Sequence, residues 1–433
     1  MLINKVIKNI SYNNESIISI LSRVINASSF YILTYISSRN LTSVDFAMWT
    51  LFITFINLLP IFNFGISTGL VNKMAYNNSL LELKDKENSN LMNASFKLQF
   101  LITFIFIILI LISSTFKSEI NNSNLNVIFD NKISIIILLL SLPFQFYSSL
   151  LFSYKQINLS NYLSIIQNII LLTGSYFTYL NSKNINTYIL NYSIIYTILL
   201  LIFFIIAIIK NKIIIGITLK DIKYIYGIFN SSFSFWIMSL FSNLLSTAQI
   251  FFVTIFFGLK SVPNFFIFQR LFSIINTFHL AFLSPYTIKF IELAANNNWN
   301  TLKVLIFNLS MKFTTILYLT FGLLIYIEHP LILKFWINTN LNDYLIAFIF
   351  LLISFITSIG NVYSVLLNSL GHFKVQILYS SFSFISFFFF LIIFKNLFGP
   401  ISIAISTIPA SLITIFLMRK YTNSLFVKNE IIF

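Results

Sequence analysis

Apolar runs of about 20 residues, the length that crosses the hydrocarbon core of a bilayer as a helix, follow one another along almost the whole of this 433-residue chain. Hydrophobic residues make up 58% of the sequence and charged residues 9%, which leaves too little polar surface to cover a soluble particle. The chain is therefore predicted to be an all-α, polytopic membrane protein.

The polar breaks between the runs predict twelve membrane-spanning helices in two groups of six. The first group lies near residues 17–38, 46–70, 93–116, 133–154, 160–180 and 186–209, and the second near 228–257, 264–287, 304–326, 342–367, 373–394 and 399–418. A basic segment separates the two groups. The predicted organisation is an N-terminal six-helix bundle over 1–209, a cytoplasmic linker over 210–227 and a C-terminal six-helix bundle over 228–433.

Positive charge is distributed unequally between the predicted loops. The termini and the even-numbered loops hold 17 Lys and Arg residues, and the opposite side holds seven. Because cytoplasmic loops retain Lys and Arg, both termini are predicted to be cytoplasmic. This topology and the anionic lipid at that face account for the net charge of +15, so binding of nucleic acid is not needed to explain it.

Polar residues recur with equal spacing in the two halves, at an offset of 220 residues. The matched sets are Ser19, Ser22, Arg23, Asn26 and Ser29 in the first span, and Ser239, Ser242, Asn243, Ser246 and Gln249 in the seventh. The segments LTSVDFAMW (41–49) and LKSVPNFFI (259–267) add a second match. Since each half has an even number of spans, the sequence predicts two parallel six-helix repeats with a substrate path between them.

Residue types exclude several kinds of chemistry. The chain has no cysteine, and its three histidines, His279, His329 and His372, are far apart in sequence. It also lacks a phosphate-cradling glycine loop, paired carboxylates at helical spacing and a nucleophile elbow. We therefore expect no catalytic residue, no metal site and no cofactor, and predict that the protein is not an enzyme.

Cations within the predicted spans are the candidate site residues, since a central Arg costs about 2.5 to 3.5 kcal/mol on insertion scales. They are Arg23, Arg270 and Lys312. All twelve acidic residues are predicted to lie at span ends or in loops, so these cations would need another anion, for which phosphate or pyrophosphate is suited. The alternative for Arg23 and Arg270 is that each side chain extends to the headgroups.

Helix-breaking residues cluster in the second predicted span, at Pro60, Gly65 and Gly69. This cluster is interpreted as a point of bending during alternating access. Pro143 and Pro409 are interpreted as the prolines that membrane helices ordinarily contain.

Two segments resemble the bacterial Wzx polysaccharide flippases of the multidrug/oligosaccharidyl-lipid/polysaccharide (MOP) exporter superfamily. One is LTSVDFAMWTLFITFINLLPIFNFGIST, although Ala47 replaces the usual glycine of that family. The other is LKSVPNFFIFQRLFSIINTFHLAFLSPYTIKF, with Arg270 and Pro285. The resemblance implies two V-shaped bundles in the bacterial inner membrane that move an undecaprenyl-pyrophosphate-linked O-antigen or capsule repeat unit by alternating access.

The resemblance also implies roles and partners for the site residues. Pyrophosphate would meet Arg23, Arg270 and Lys312, and sugars would meet Asn26, Asn243 and Gln269. Membrane lipids, a polysaccharide polymerase and a chain-length regulator are the other expected partners. Two alternatives stay open: a polysaccharide polymerase or ligase, disfavoured because the longest external loop, 117–132, is short, and a multidrug exporter, disfavoured by the expected lack of an intramembrane carboxylate.

Overall fold

The computed structural model describes residues 2–79, 84–115, 131–181, 184–213, 222–283, 286–339 and 341–430. Side chains are described for residues 18, 21, 22, 24–71, 73, 74, 87–112, 131–180, 184–213, 232, 233, 235–283, 286, 287, 289–339 and 341–427. Throughout these ranges the chain forms helices joined by turns, and they contain no β-strand. The predicted all-α fold is confirmed. Pro285 lies outside the described residues.

Within the described ranges, eight α-helices precede the basic segment. They are α1 Leu2–Asn40, α2 Ser43–Leu58, α3 Ile66–Ser79, α4 Lys84–Thr115, α5 Lys132–Leu140, α6 Phe146–Ser153, α7 Ile157–Asn181 and α8 Ile185–Lys210. Ten described α-helices follow that segment. They are α9 Ile222–Ser246, α10 Gln249–Phe257, α11 Val262–Leu283, α12 Tyr286–Ala295, α13 Trp299–Phe307, α14 Thr314–Leu317, α15 Leu323–Ile337, α16 Tyr344–Ser369, α17 Phe373–Phe398 and α18 Ser402–Glu430.

Short polar side chains mark several helix starts. The Thr42 hydroxyl accepts a hydrogen bond from the backbone N–H of Asp45 at 3.2 Å and donates one to its carboxylate at 2.7 Å. At α16 a carboxylate oxygen of Asp343 accepts from the N–H of Ile346 at 3.0 Å. Such caps satisfy N–H groups that the first turn of a helix leaves without an intrahelical partner.

The helices include fewer clear membrane spans than predicted. Among the described residues nine segments are long and apolar enough to cross a bilayer, or ten when the bent pair α9 and α10 is included. One of them, Phe373–Val427, contains two predicted spans, because α17 and α18 are separated only by the short turn Gly399–Ile401. The nine do not include α1. A polytopic membrane fold is thus confirmed, while twelve remains the number expected from sequence.

The chain divides into two compact units, Met1–Trp236 and Ile237–Phe433. The division falls within α9, beyond the basic segment. Trp236 belongs to the first unit, in which its indole N–H donates to the carbonyl of Ile61 at 2.7 Å. The predicted bundles over 1–209 and 228–433 remain a prediction.

Two spans of the first unit are broken at prolines. After α2, the chain forms a 3₁₀ turn over Leu59–Asn63 and then adopts left-handed backbone angles at Phe64 (φ 48°) and Gly65 (φ 73°). Between α5 and α6, a second 3₁₀ turn covers Leu142–Gln145. The first break lies where Pro60 and Gly65 predicted it. The second includes Pro143 and lies within the single apolar segment Lys132–Ser153, and membrane helices accommodate proline through local 3₁₀ turns of this kind.

The segment Trp299–Ile337 contains two π-helical turns, Asn308–Phe313 and Tyr318–Gly322. Its last helix, α15, continues to Ile337, beyond the predicted span end at 326. Glu328 therefore lies on a helix, two residues beyond the predicted span end, in an apolar segment of 39 residues that is longer than the roughly 20 needed to cross a bilayer. That every carboxylate lies at a span end or in a loop stays a prediction.

Candidate functional site

A polar cluster joins α1 and α7 in the first unit. Asn26, a predicted sugar-binding residue, donates from Nδ2 to the hydroxyl of Ser164 at 3.2 Å. Its Oδ1 accepts from Nδ2 of Asn168, and Asn168 also donates to the backbone carbonyl of Ser164 at 2.7 Å. Ser164 and Asn168 are four residues apart, so they lie on one face of α7. Ser164 and Asn168 were not predicted from the sequence as site residues, because their partner, Asn26, lies on a helix more than 130 residues earlier.

Arg23 lies on α1, three residues before Asn26. Its side chain is outside the described residues, so its predicted contact with an anion is untested.

The bend between α9 and α10 carries a second polar cluster, in the second unit. The two helices differ in direction by 49° at this break. Gln269 of α11 donates from Nε2 to the carbonyl of Ser246 and to Oε1 of buried Gln249, both at 3.1 Å. A break in a helix leaves carbonyls without their usual partners, and a neighbouring carboxamide can satisfy them. Gln269, a predicted site residue, therefore helps to hold the bent span.

Arg270, the next residue of α11, is half-buried. Its guanidinium carbon lies 5.0 Å from the centre of the Phe266 ring, one turn earlier on the same helix. A cation over an aromatic face is stabilised there. The role of Arg270 as a site residue stays a prediction.

Asn243 is bound within its own helix. Its Nδ2 donates to the carbonyl of Ser239 at 2.8 Å and to the Ser239 hydroxyl at 3.1 Å. Its backbone carbonyl accepts from the N–H of Thr247 at 2.8 Å at the end of α9. Asn243 thus lies one turn before the bend where Gln249 and Gln269 meet.

Lys312 is exposed and lies in the π-helical turn Asn308–Phe313. The Thr314 hydroxyl donates to the carbonyl of Leu309 at 2.9 Å, which closes this wide turn. Nε2 of buried His279 lies 2.9 Å from the same hydroxyl. Because the single Thr314 proton goes to Leu309, the contact requires His279 to donate from Nε2. The π-helical turn that carries Lys312 is thus followed directly by a residue in contact with α11.

A third polar cluster was missed from sequence. It joins α11, α16 and the second π-helical turn through Asn276, Tyr318, Ser354, Ser358 and Asn361. Oδ1 of Asn276 accepts from Nδ2 of Asn361 at 2.9 Å, and the Tyr318 hydroxyl lies 2.6 Å from that of Ser354. The sequence could have indicated this cluster, because the spacing of Ser354, Ser358 and Asn361 places them on one face of a predicted helix.

Replacing Tyr318 by Phe is expected to lower the free energy of unfolding by about 1 kcal/mol, the net value of an ordinary hydrogen bond. The loss is small because Ser354 still donates to the carbonyl of Phe272 at 3.0 Å and Ser358 still contacts Asn276 at 3.3 Å. Denaturant titration in detergent measures the change. Asn276→Leu is the matched comparison and should cost more, because it removes the acceptor that Ser358 and Asn361 share. Equal losses in the two variants would contradict this account.

The three clusters offer neutral hydrogen-bonding groups inside membrane spans. Within the ranges that the structure describes, no three His, Asp or Glu side chains come close enough to hold a metal ion. Carboxamides and hydroxyls both donate and accept hydrogen bonds. In the second unit, Arg270 and Lys312 add positive charge, and cations together with carboxamides suit a ligand that is polar and partly anionic.

Comparison with solved structures identifies the fold. An inward-facing multidrug resistance MATE family transporter of the MOP superfamily superposes with a TM-score of 0.74 at 13% identity, over 92% of this chain and 95% of that one. The lipid II flippase MurJ, in an inward closed conformation, has a TM-score of 0.70 at 17% identity, over 96% and 90%. A MOP superfamily transporter from Pyrococcus furiosus has a TM-score of 0.67 at 13% identity, over 95% and 96%.

No protein-family model matches the sequence, and no curated protein matches it. At these identities the structural likeness shows the fold alone. The chain has the fold of MOP superfamily transporters and is a multi-pass membrane protein.

Proposed function

We propose that this protein is a flippase that moves an undecaprenyl-pyrophosphate-linked oligosaccharide, an O-antigen or capsule repeat unit, across the bacterial inner membrane by alternating access. The observation that carries the proposal is Arg270, a half-buried cation within a span that also carries Gln269 of the Gln269–Gln249 carboxamide cluster. The fold, which a lipid II flippase shares, supports the same class of substrate.

The headgroup has two parts that match two kinds of side chain. Guanidinium groups bind phosphate oxygens through paired hydrogen bonds, which gives Arg270 the pyrophosphate. Lys312 adds a second positive charge from the π-helical turn. Sugar hydroxyls require both donors and acceptors, which Asn26, Asn243 and Gln269 provide, and the lipid tail stays in the bilayer.

The proposal also covers the orientation of the protein in the membrane and its partner proteins. Its termini face the cytoplasm, and Arg23 of α1 is a further candidate for binding phosphate. The protein catalyses no reaction itself and works with a polysaccharide polymerase and a chain-length regulator. Support for the orientation comes from the unequal distribution of Lys and Arg in the loops.

A multidrug exporter is the second candidate function. Glu328 on the apolar helical segment Trp299–Ile337 supports it, because a carboxylate at a span can attract a cationic drug or an exchanged proton. The likeness to MATE family transporters supports it equally. The two functions therefore differ in which charged residue the substrate needs.

Reconstitution into proteoliposomes tests the two functions together. The lipid probe is undecaprenyl pyrophosphate carrying a galactose-terminated oligosaccharide, and added galactose oxidase reports the probe in the outer leaflet. The drug probe is the cationic dye ethidium. If the protein is a flippase, lipid that starts in the inner leaflet should reach the outer leaflet and be oxidised in protein-containing vesicles. The Glu328→Gln variant should give the same extent of oxidation. Ethidium transport that Glu328→Gln abolishes, without lipid movement, would establish the exporter instead.

A further inference from the structure

The π-helical turn Asn308–Phe313 is closed by the residue that follows it. The backbone N–H of Thr314 bonds to the carbonyls of Leu309 and Met311, and its hydroxyl donates to that of Leu309 at 2.9 Å. In an α-helix both groups would bond to the carbonyl of Ser310, four residues earlier. Elsewhere in the described helices, threonine hydroxyls that bond within their own helix use the carbonyl three or four residues earlier. Thr314 thus passes over one carbonyl, which indicates one extra residue in the turn.

The extra residue aligns the exposed surfaces on the two sides of the turn. Val304 in α13 and Ile316 in α14 are 59% and 61% exposed. In an unbroken α-helix of 3.6 residues per turn, side chains at this spacing would point roughly 120° apart. With one residue in excess the angle falls to roughly 20°, so that both side chains lie on one exposed face. The direction of α14 relative to α13 therefore depends on the π-helical turn.

The two sides of the turn are held by different helices. Before it, Leu302 and Ile306 lie in an apolar cluster that includes residues of α12, α16 and α18. After it, Nε2 of His279 in α11 lies 2.9 Å from the Thr314 hydroxyl, to which it donates. The His279 ring also stacks on that of Phe313, with 5.8 Å between the ring centres and 23° between the planes. The second side of the turn is therefore held by one residue of α11.

The π-helical form leaves two buried polar atoms without a hydrogen-bond partner. They are the hydroxyl oxygen of Ser310 and Nδ1 of His279, and both residues are fully buried. Unpaired buried groups destabilise the form that contains them. The π-helical turn is itself a rare geometry, and such turns occur frequently at functional sites. The bond from His279 to Thr314 opposes these costs, so its loss should favour the ordinary α-helical form of the turn.

We propose that the turn Asn308–Phe313 is a two-state element, π-helical while His279 donates to Thr314 and α-helical when that bond is broken. Removal of the extra residue from the turn rotates one side of the span against the other by roughly 100°. Lys312 lies within the turn, so its direction differs between the two forms. A displacement of α11, the helix that also carries Arg270, that breaks the bond would therefore redirect Lys312. This coupling does not depend on which substrate the protein moves.

Two nitroxide labels report the form of the turn in the purified full-length protein in lipid nanodiscs. The chain has no cysteine, so Val304→Cys and Ile316→Cys supply the only two thiols for labelling. Pulsed electron paramagnetic resonance measures the distance between the labels. The α-helical form should lengthen this distance by about 4 Å, given the rise and diameter of a helix. With His279 in place, the shorter distance of the π-helical form should predominate.

Substitutions at the bond should change the ratio of the two distances. His279→Phe keeps a ring beside Phe313 but removes the donor, and should raise the ratio of the longer to the shorter distance by about 5-fold, the equivalent of one ordinary hydrogen bond. His279→Gln keeps a side-chain N–H donor and should retain the shorter distance. If His279→Phe does not fold, Thr314→Val removes the same bond at nearly constant volume and should also favour the longer distance.

A label pair in an uninterrupted helix is the control. Leu378→Cys and Phe389→Cys place both labels on exposed positions of α17, and their distance should be the same in all variants. The shorter distance in both His279→Phe and Thr314→Val would show that packing alone keeps the turn π-helical. The longer distance in His279→Gln would show that the bond is not what matters, and a changed control pair would indicate distortion of the whole unit. Any of these three results overturns the proposal.

Discussion

Replacing Arg270 by alanine is expected to abolish export of the polysaccharide while the protein is still made and inserted. The guanidinium is the half-buried cation of α11, and a phosphate would receive paired hydrogen bonds from it. Loss of a hydrogen bond to a charged group costs about 1.5 to 3 kcal/mol, which corresponds to about 10- to 100-fold weaker substrate binding. Export is measured as surface polysaccharide in a bacterial strain that depends on this protein.

Two further variants distinguish geometry from charge. Arg270→Lys keeps the charge but loses the paired hydrogen bonds, so it should restore export only in part. Arg419→Ala removes an exposed arginine near the end of α18 and should leave export unchanged. Normal surface polysaccharide in Arg270→Ala, at an unchanged protein level, would rule out the proposed phosphate contact.

Replacing Gly65 by alanine is expected to destabilise the first unit by about 3 kcal/mol or more, which places it among the strongly destabilising single substitutions. Two effects add. The backbone has φ 73°, where a Cβ costs roughly 1 to 2 kcal/mol. An added Cβ would also lie 2.7 Å from the carbonyl oxygen of Ser232 and 3.0 Å from Cβ of Trp236, atoms that cannot move without shifting α9.

Gly371→Ala is the matched control for the backbone effect alone. Its φ is 74°, but an added Cβ would have no atom within 4 Å. Denaturant titration of the purified variants should therefore show a small loss of stability for Gly371→Ala and a much larger one for Gly65→Ala. A similar loss in the two variants would mean that α9 does not pack closely against this break.

Asn26 and Gln269 show how far the candidate site could be predicted. Both were recognised as polar residues in apolar spans, and the structure places both in hydrogen-bonded clusters. Their partners were not recognised. Gln249 had been noted as part of the repeat pattern, while Ser164 and Asn168 had not been noted at all, because a lone Ser or Asn in a span carries no signal until its neighbours are known.

The helix breaks were also predicted only in part from the sequence. Pro60 and Gly65 correctly predicted the first break, since proline removes a backbone donor and glycine favours positive φ. The bend between α9 and α10 was not predicted, because the residues at that break, Thr247 and Ala248, are ordinary helix residues. The length of the helix beyond residue 326 was not predicted either, since α15 continues through Pro330 to Ile337.

The sequence by itself determined that the chain is a polytopic helical membrane protein with cations and carboxamides inside its spans. Hydrophobic length and residue type are local properties, and the bilayer acts on them directly. Only the tertiary structure decided which polar groups meet, as Asn63 does with Gln145 and Asn276 with Asn361, both more than 80 residues apart. Such pairs depend on how helices cross, which no local pattern specifies.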